Sequence, residues 1–246
     1  LEPRDGWAKH AVAHVMEMQG RQPDGVRWLR TDTDDWAKES FFAVHNWWHL
    51  ALFHLDRDEL DEVLALYDGP IVAGRTGQVL DLIDASALLW RLYLRGADTG
   101  DRFQALADEW APLAEAGNYA FNDAHAVMAF VGAGREDAAG RVVAAQAEAM
   151  RRGDDNARFT AEVGAPVVTA LRAFGAGEYG RTIDLLRPVR GKAAIFGGSH
   201  AQRDLIDLTM IEAAARDGRR PLVRALAQER LEIKPSSPLN RRYRQR

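Results

Sequence analysis

The chain has 246 residues, of which 47% are hydrophobic and 28% are charged, and its formal net charge is −4. This hydrophobic content is ample for a sizeable core in one large domain or one repeat array. The weakly acidic balance gives no general attraction to nucleic acid or to anionic lipid, so we expect neither as a partner. The absence of cysteine excludes disulfides, zinc–thiolate sites and cysteine nucleophiles, and it fits a cytoplasmic location.

The sequence carries no visible membrane or export signal. No apolar run reaches about 18 residues, so no membrane span is predicted. No signal peptide precedes the first helical pattern. The sequence starts at Leu1 instead of Met, and we therefore expect that an N-terminal part of the full protein is missing.

Helix–turn–helix joints recur along the chain at a nearly regular interval. Successive turns are 37 to 43 residues apart, which is the length of two helices and two loops. The predicted turns fall near Gly20, Arg57, Gly96, Gly134, Gly177 and Gly218. The sequence therefore predicts an all-α protein, a tetratricopeptide-like α-solenoid of about six antiparallel helix pairs.

Each predicted pair joins two segments whose apolar residues lie three and four positions apart, the pattern of a half-buried helix. The six pairs are Asp5–Gln19 with Gly25–Arg30, Asp35–Leu55 with Asp58–Tyr67, Gln78–Arg95 with Arg102–Ala116, Tyr119–Val131 with Glu136–Arg152, Ala157–Phe174 with Tyr179–Val189, and His200–Arg216 with Pro221–Ile233. Alternation with a period of two is absent, so no strand is predicted. We expect one repeat domain over residues 1–234, followed by a frayed tail at 235–246.

All of the histidines fall in the first helix of a predicted pair, or at its start or end. They are His10, His14, His45, His49, His54, His125 and His200. In a solenoid of helix pairs, the first helices line one face and the second helices line the other. The sequence therefore predicts that the histidines gather on one concave surface.

Two histidine pairs have the spacing of a metal site. His10 and His14 lie four apart in HAVAH, and His45 and His49 repeat that spacing in HNWWH. Residues four apart face the same way on a helix, so each pair could bind one metal ion, and two pairs on adjacent helices could supply four nitrogens to a divalent metal. Carboxylates in the same or neighbouring segments are Glu17, Glu39, Asp84, Asp123 and Asp204.

A structural role for these histidines remains open beside the metal site. The sequence lacks the Glu-x-x-His spacing of known di-metal helix bundles. Histidines near Trp7, Trp47, Trp48 and Phe53 could equally serve as packing residues that hydrogen-bond across a helix interface.

Other polar residues are predicted to line the same concave surface. Asp84 interrupts the apolar segment LIDASALLW, and a buried carboxylate there must be paired, either with a histidine or with Arg203. Asp123 and His125 lie in the fourth first helix. His200, Arg203 and Asp204 open the sixth, after a Gly-Gly-Ser run in which Ser199 is either a helix cap or part of an anion cradle.

Several stretches resemble a known family. They are HAVAHVMEMQGRQPDGVRWL (10–29), HNWWHLALFHLDRDELDEVLALYD (45–68), DASALLWRL (84–92), NDAHAVMAFVGAGR (122–135) and GGSHAQRD (197–204). In these motifs the chain resembles the tetratricopeptide repeat protein 38 family over nearly its whole length. The resemblance implies the helical-repeat fold and a longer N-terminus. It implies no activity and no catalytic residue, because the family has no established reaction.

The sequence suggests two alternative hypotheses for the function. The first is a binding protein whose concave groove, rich in His, Asp and Trp, holds a small molecule or a peptide. The second is a metal-dependent or acid–base enzyme that uses the same histidines. The candidate ligand-binding residues are His10, His14, His45, His49, Asp84, Asp123, His125, His200, Arg203 and Asp204, and the first four are the candidate metal ligands.

Overall fold

The computed structural model describes residues 2, 4–38 and 40–245, and over these ranges every regular element is helical, with no β-strand. The prediction of an all-α protein is therefore confirmed. None of the helices in these ranges combines the length and the apolar character needed to cross a bilayer. The chain divides into two compact units, and the division falls within two helices.

The first unit comprises residues 1–88 and 223–246. Its helices are α1 (Gly6–Met18), α2 (Gln22–Arg30), α3 (Thr33–Trp36), α4 (Ala43–Asp56), α5 (Leu60–Leu66), the first part of α6 (Val79–Leu94), the last part of α14 (Arg220–Ile233) and α15 (Pro238–Arg244). A π-type turn at Tyr67–Ile71 follows α5. Trp36 and Trp48 are fully buried in this unit with Leu50 and Ile71, and each such side chain contributes about 1.5–3 kcal/mol of burial free energy.

The second unit comprises residues 89–222. Besides the remaining parts of α6 and α14, its helices are α7 (Arg102–Trp110), α8 (Ala120–Gly132), α9 (Glu136–Ala149), α10 (Asp155–Phe159), α11 (Ala165–Gly175), α12 (Tyr179–Leu186) and α13 (His200–Arg216). A π-type turn at Thr160–Gly164 joins α10 to α11, and short 3-10 turns occupy Ala111–Leu113 and Arg190–Phe196. Inside this unit Trp90 of α6 donates its indole N–H to Thr209 Oγ1 of α13 at 2.9 Å, so these two helices lie in direct contact.

Within the residues that the structure describes, one turn geometry recurs six times. Residues with φ between 66° and 78° end α1, α4, α6, α8, α11 and α13; they are Gly20, Asp58, Gly96, Gly134, Gly177 and Gly218. In each case the next N–H donates to the carbonyl five residues earlier at 2.8–3.1 Å, the hydrogen bond of a Schellman motif. Five of the six predicted turns are confirmed at their residue. The sixth turn has its left-handed residue at Asp58 instead of Arg57, because aspartate tolerates the left-handed conformation better than most residues.

The prediction of one continuous helix over Asp35–Leu55 is wrong. Helix α3 ends at Trp36, and α4 begins only at Ala43. The ring centroids of Trp36 and Trp47 lie 4.8 Å apart, whereas eleven residues of straight helix would separate them by about 16 Å along the axis. Burying Trp36, whose indole N–H donates to Thr31 O at 3.1 Å, therefore requires the chain to turn back between the two helices.

The prediction of a frayed tail over 235–246 is also wrong. Ser237 caps α15 by accepting a hydrogen bond from the N–H of Asn240, and Leu239 and Tyr243 are buried. Arg242 pairs with Asp58 at 2.8 Å. Burial of two apolar side chains thus holds a segment whose composition alone indicated a solvated end; Arg246 lies outside the described residues. The single repeat domain expected over 1–234 stays a prediction.

We expect Gly25→Ala to destabilise the first unit by about 1–3 kcal/mol, the usual cost of overpacking a core. A Cβ at Gly25 would lie 2.3 Å from the ring of Phe53, which is itself buried. The matched control is Gly140→Ala in the middle of α9, where no described atom would crowd the methyl group. That change is expected to stabilise by about 0.5–1 kcal/mol. Urea unfolding of both variants tests the pair, and equal effects would contradict it.

Candidate functional site

Four histidines meet in the first unit. The possible ligand nitrogens of His10, His14, His45 and His49 all lie within 4.8 Å of one another. We call these four residues the histidine cluster. The prediction that the two HxxxH pairs approach one another is therefore confirmed.

Helix periodicity places the two pairs opposite each other. His10 and His14 occupy successive turns of α1, with ring centroids 4.4 Å apart, and His45 and His49 do the same on α4 at 4.9 Å. Between the helices, the centroid separations are 4.8 Å for His10 with His45 and 4.4 Å for His14 with His49. A hydrogen bond also joins α1 and α4, since the buried side-chain amide of Asn46 donates to Gly6 O at 3.1 Å.

A buried carboxylate contacts one histidine of the cluster. Asp84 of α6 is fully buried, and its Oδ2 lies 2.7 Å from Nδ1 of His45. The prediction that a histidine partners Asp84 is confirmed. Because Asp84 occupies Nδ1, the other nitrogen of His45 is left to face the cluster, as in the carboxylate–histidine–metal arrangement of many metal sites. The Trp48 ring stacks on His45 at 5.1 Å and 15°, which restricts rotation of the imidazole.

Burial differs between the two sides of the cluster. His45 and His49 on α4 are buried, whereas His10 and His14 on α1 are half-buried. Burial, followed by the neighbouring His45 and His14, lowers the pKa of His10 to about 3. The His10 ring is therefore neutral at neutral pH, the form in which imidazole binds metal. Its Nε2 is buried and has no hydrogen-bond partner among the described residues.

The separations within the histidine cluster can be compared with those that a nitrogen-ligand metal site requires. A tetrahedral zinc ion with Zn–N distances of about 2.0 Å spaces its ligand atoms about 3.3 Å apart, so the widest separations in the cluster would have to shorten by up to about 1.5 Å. A packing histidine would satisfy its polar atoms with neighbours. The unpartnered Nε2 of His10, directed among three other imidazoles, lacks such an explanation.

Aromatic residues border the cluster on its α1 side. The Phe42 ring lies 4.8 Å from His10, and the Trp7 ring lies 4.1 Å from Phe42. Trp7 is 65% exposed despite this contact. Sequence reasoning missed Phe42, although its position three residues before His45 is the spacing that places a side chain on the same face of a helical segment.

The remaining predicted carboxylates have other surroundings. Glu17 of α1 forms an ion pair with Lys234, which directly follows α14. Glu39 lies outside the described residues. Asp123, in the second unit, accepts a hydrogen bond from the buried amide of Gln146 on α9 at 3.1 Å. His125, two positions further along α8, lies with Nδ1 2.8 Å from Phe121 O, so these two side chains take different partners.

The start of α13 is a capped helix terminus. Ser199 and Gln202 form a capping box, so the interpretation of Ser199 as a cap is confirmed. Arg203 donates to the carbonyl of Gly198, in the loop before the helix. His200 is exposed. That Asp123, His125, His200, Arg203 and Asp204 share a ligand surface with the histidine cluster stays a prediction.

We expect Asp123→Asn to raise the melting temperature at pH 8 and to leave it nearly unchanged at pH 4. Burial raises the pKa of Asp123 from 3.8 to about 6, against the opposing hydrogen bond from Gln146. The folded protein thus holds this proton more tightly than the unfolded chain does. Stability from the group is full below about pH 4 and is lost as the pH rises through 6, by up to about 3 kcal/mol. Melting curves at both pH values test this, and an equal shift at both would contradict it.

A surface cavity of about 420 Å³ lies apart from the histidines named above, in the second unit. Its charged lining residues include Arg172, which pairs with Glu136, and Arg181, which pairs with Glu178. These four residues together contribute no net charge to the lining. The histidine cluster remains the better candidate site.

Fold and site together define an all-helical protein in which two HxxxH motifs converge. No protein-family model matches the chain, and no solved structure matches it.

Proposed function

We propose that this protein binds a divalent transition-metal ion through His10, His14, His45 and His49. The observation that carries the proposal is the convergence of four imidazoles from two helices to within 4.8 Å. Imidazole is a favoured ligand for zinc, copper, iron and nickel ions, and hard ions such as Mg²⁺ prefer oxygen. We therefore expect the site to prefer Zn²⁺ and to bind Mg²⁺ only weakly.

The charges around the cluster support a cation. Asp84 brings a carboxylate into a fully buried position beside His45, and an unneutralised buried carboxylate is costly. A dication held by His45 would lie one imidazole away from that carboxylate. Metal binding would thus offset the cost of burying Asp84 and hold the His45 ring in its ligating orientation.

The direct test is titration of purified, chelator-treated protein with Zn²⁺, Co²⁺, Ni²⁺ and Mg²⁺ by calorimetry. We expect one Zn²⁺ per chain, and a Co²⁺ complex whose visible absorption shows nitrogen ligation. The matched control is His54→Gln on α4, since Nδ1 of His54 lies 2.6 Å from Glu59 and His54 is not among the four converging histidines. It should bind like the wild type. Absence of stoichiometric binding of any transition metal would refute the proposal.

We also propose a more specific assignment of the fold. We infer that the six helix pairs are tetratricopeptide-type repeats and that the chain is related to the tetratricopeptide repeat protein 38 family. Support comes from the six Schellman turns, which recur 38 to 43 residues apart. We propose a cytoplasmic location from the cysteine-free sequence.

A metal-dependent or acid–base enzyme is the second candidate. The observation that favours an enzyme is the His45–Asp84 pair, because a carboxylate that orients an imidazole makes that imidazole a more effective general base. Zn²⁺-loaded protein can be assayed for hydrolysis of 4-nitrophenyl acetate beside a variant that lacks His10 and His14. Equal rates for the two proteins would exclude the histidine cluster as the source of that activity.

A further inference from the structure

We propose that the protein forms a weak dimer in which helix α1 of one copy packs antiparallel against α1 of a second copy. The surface is an apolar stripe on the outward face of the helix, formed by Trp7, Ala11, Val15 and Met18, which we call the α1 stripe. The inference is independent of metal binding, because it uses none of the four converging histidines. Three features carry it: the apolar outward face of α1, the order of residues in the stripe, and the partial charges at the helix ends.

The outward face of α1 is apolar. Its four residues follow one another at spacings of four, four and three, so they lie on one side of the helix. Trp7 is 65% exposed, Met18 is 55% exposed and Val15 is 50% exposed, and Ala11 is exposed as well. Surface helices usually turn polar residues to water, and contiguous exposed apolar side chains mark an interaction surface.

The charged side chains of α1 are turned into ion pairs inside the first unit instead. Lys9 is buried, and its Nζ lies 3.1 Å from Thr31 O and 3.4 Å from Asp32 Oδ2. Glu17 forms its ion pair with Lys234. Lys9 and Glu17 are the only Asp, Glu, Lys or Arg residues in the sequence of this helix. Covering the α1 stripe would therefore bury no unpaired charge of α1, and desolvation would cost little.

The order of residues in the α1 stripe fits a second copy of the same helix. Two antiparallel helices related by a two-fold axis at the middle of α1 place Trp7 opposite Met18 of the partner subunit, and Ala11 opposite Val15 of the partner subunit. The flexible thioether of methionine packs favourably on an aromatic ring, and the small alanine lets the backbones approach. A closed two-fold contact requires such a self-complementary surface. A parallel pair would oppose two tryptophans and leave a gap between two alanines.

Helix-end charges favour the same antiparallel order. Helix α1 has no acidic residue in its first turn and no basic residue in its last turn. Antiparallel packing sets the partially positive N-terminus of each helix beside the partially negative C-terminus of the other. A second copy therefore supplies both the apolar side chains and the opposing helix ends that this face of α1 fits.

The size of the face limits the strength of the dimer. Helix α1 has 13 residues, so it is about 20 Å long and about 10–12 Å wide. Phe41 is 55% exposed and extends the patch, because its ring lies 5.2 Å from that of Phe42, and the Phe42 ring lies 4.1 Å from that of Trp7. Such a contact is smaller than the roughly 1,600 Å² of a stable complex, so we expect a dissociation constant on the order of 10 μM or weaker.

The test is sedimentation equilibrium in the presence of a chelator, which excludes dimers bridged by metal ions. We expect the wild type to change from monomer to dimer as its concentration rises. Val15→Glu puts a carboxylate in the middle of the α1 stripe and should weaken association by at least about tenfold, because the interface would desolvate that charge. The matched control is Leu113→Glu, the same kind of change at an exposed position of the second unit, which should dimerise like the wild type.

Cysteine cross-linking tests the antiparallel order, because the protein contains no cysteine of its own. Ala11→Cys and Val15→Cys are mixed and oxidised, and mass spectrometry identifies the disulfides. Antiparallel packing should give mainly disulfides between the two variants. Parallel packing would give disulfides within each variant, since four residues of helix displace a side chain by about 6 Å along the axis.

Three results would overturn the inference. They are a wild type that stays monomeric at every concentration, a folded Val15→Glu variant that dimerises as tightly as the wild type, and disulfides that form mainly between like variants. Circular dichroism shows whether Val15→Glu keeps its helices, and if it does not, the cross-linking result decides. None of these results would alter the metal-binding proposal, which the calorimetric titration tests separately.

Discussion

Replacing His10 and His14 together with alanine is expected to lower the affinity for Zn²⁺ by about 10⁴-fold. Apparent binding free energies of about 10–16 kcal/mol for four-ligand zinc sites correspond to about 3 kcal/mol for each ligand, so losing two costs about 6 kcal/mol. Both residues are half-buried on α1, and alanine is the best helix former, so the helix should persist. Competition with a chromophoric chelator measures the affinity.

The control for this double variant is again His54→Gln, which changes a histidine on α4 without touching the cluster. Circular dichroism of each variant shows whether the helices remain. A folded double variant with wild-type Zn²⁺ affinity would mean that the four nitrogens do not form the site. The structural interpretation, in which the imidazoles only pack against one another, would then be preferred.

Zn²⁺ is expected to raise the melting temperature of the 246-residue protein by about 8–16 °C. A ligand that binds only the folded state, at a free concentration of 1,000 times its dissociation constant, stabilises by about 4 kcal/mol, and each kcal/mol shifts a domain of this size by about 2–4 °C. The physical reason is that the ion would link α1 to α4, which the unfolded chain cannot do. Calorimetric scans with and without Zn²⁺ measure the shift.

The same scans on the double variant provide the comparison, because it lacks both α1 ligands. Its melting temperature should not respond to Zn²⁺. A shift as large as that of the wild type would indicate that the ion stabilises the protein from another position. A wild type that binds Zn²⁺ tightly without any shift would show that the unfolded chain binds the ion equally well.

The helical class and the positions of the turns could be predicted from the amino-acid sequence alone. Helical periodicity depends on local spacing, and left-handed C-caps depend on glycine, so both can be predicted without tertiary contacts. Gly96 and Gly134 illustrate this, since each takes the positive φ that its position predicted. The pairing of Asp84 was also predictable, because a carboxylate inside an apolar helix needs a partner wherever that helix is buried.

Other features depend on contacts between residues far apart in the sequence, and local spacing does not predict them. The break between α3 and α4 depends on Trp36 packing against Trp47, and the order of the C-terminal segment depends on the burial of Leu239 and Tyr243. The packing of α4 against α6 likewise determines which nitrogen of His45 contacts the Asp84 carboxylate. Two HxxxH motifs fix which residues share a helix face, but only the packing of α1 on α4 brings the four imidazoles together, because the distance between two helices is set by contacts far apart in the sequence.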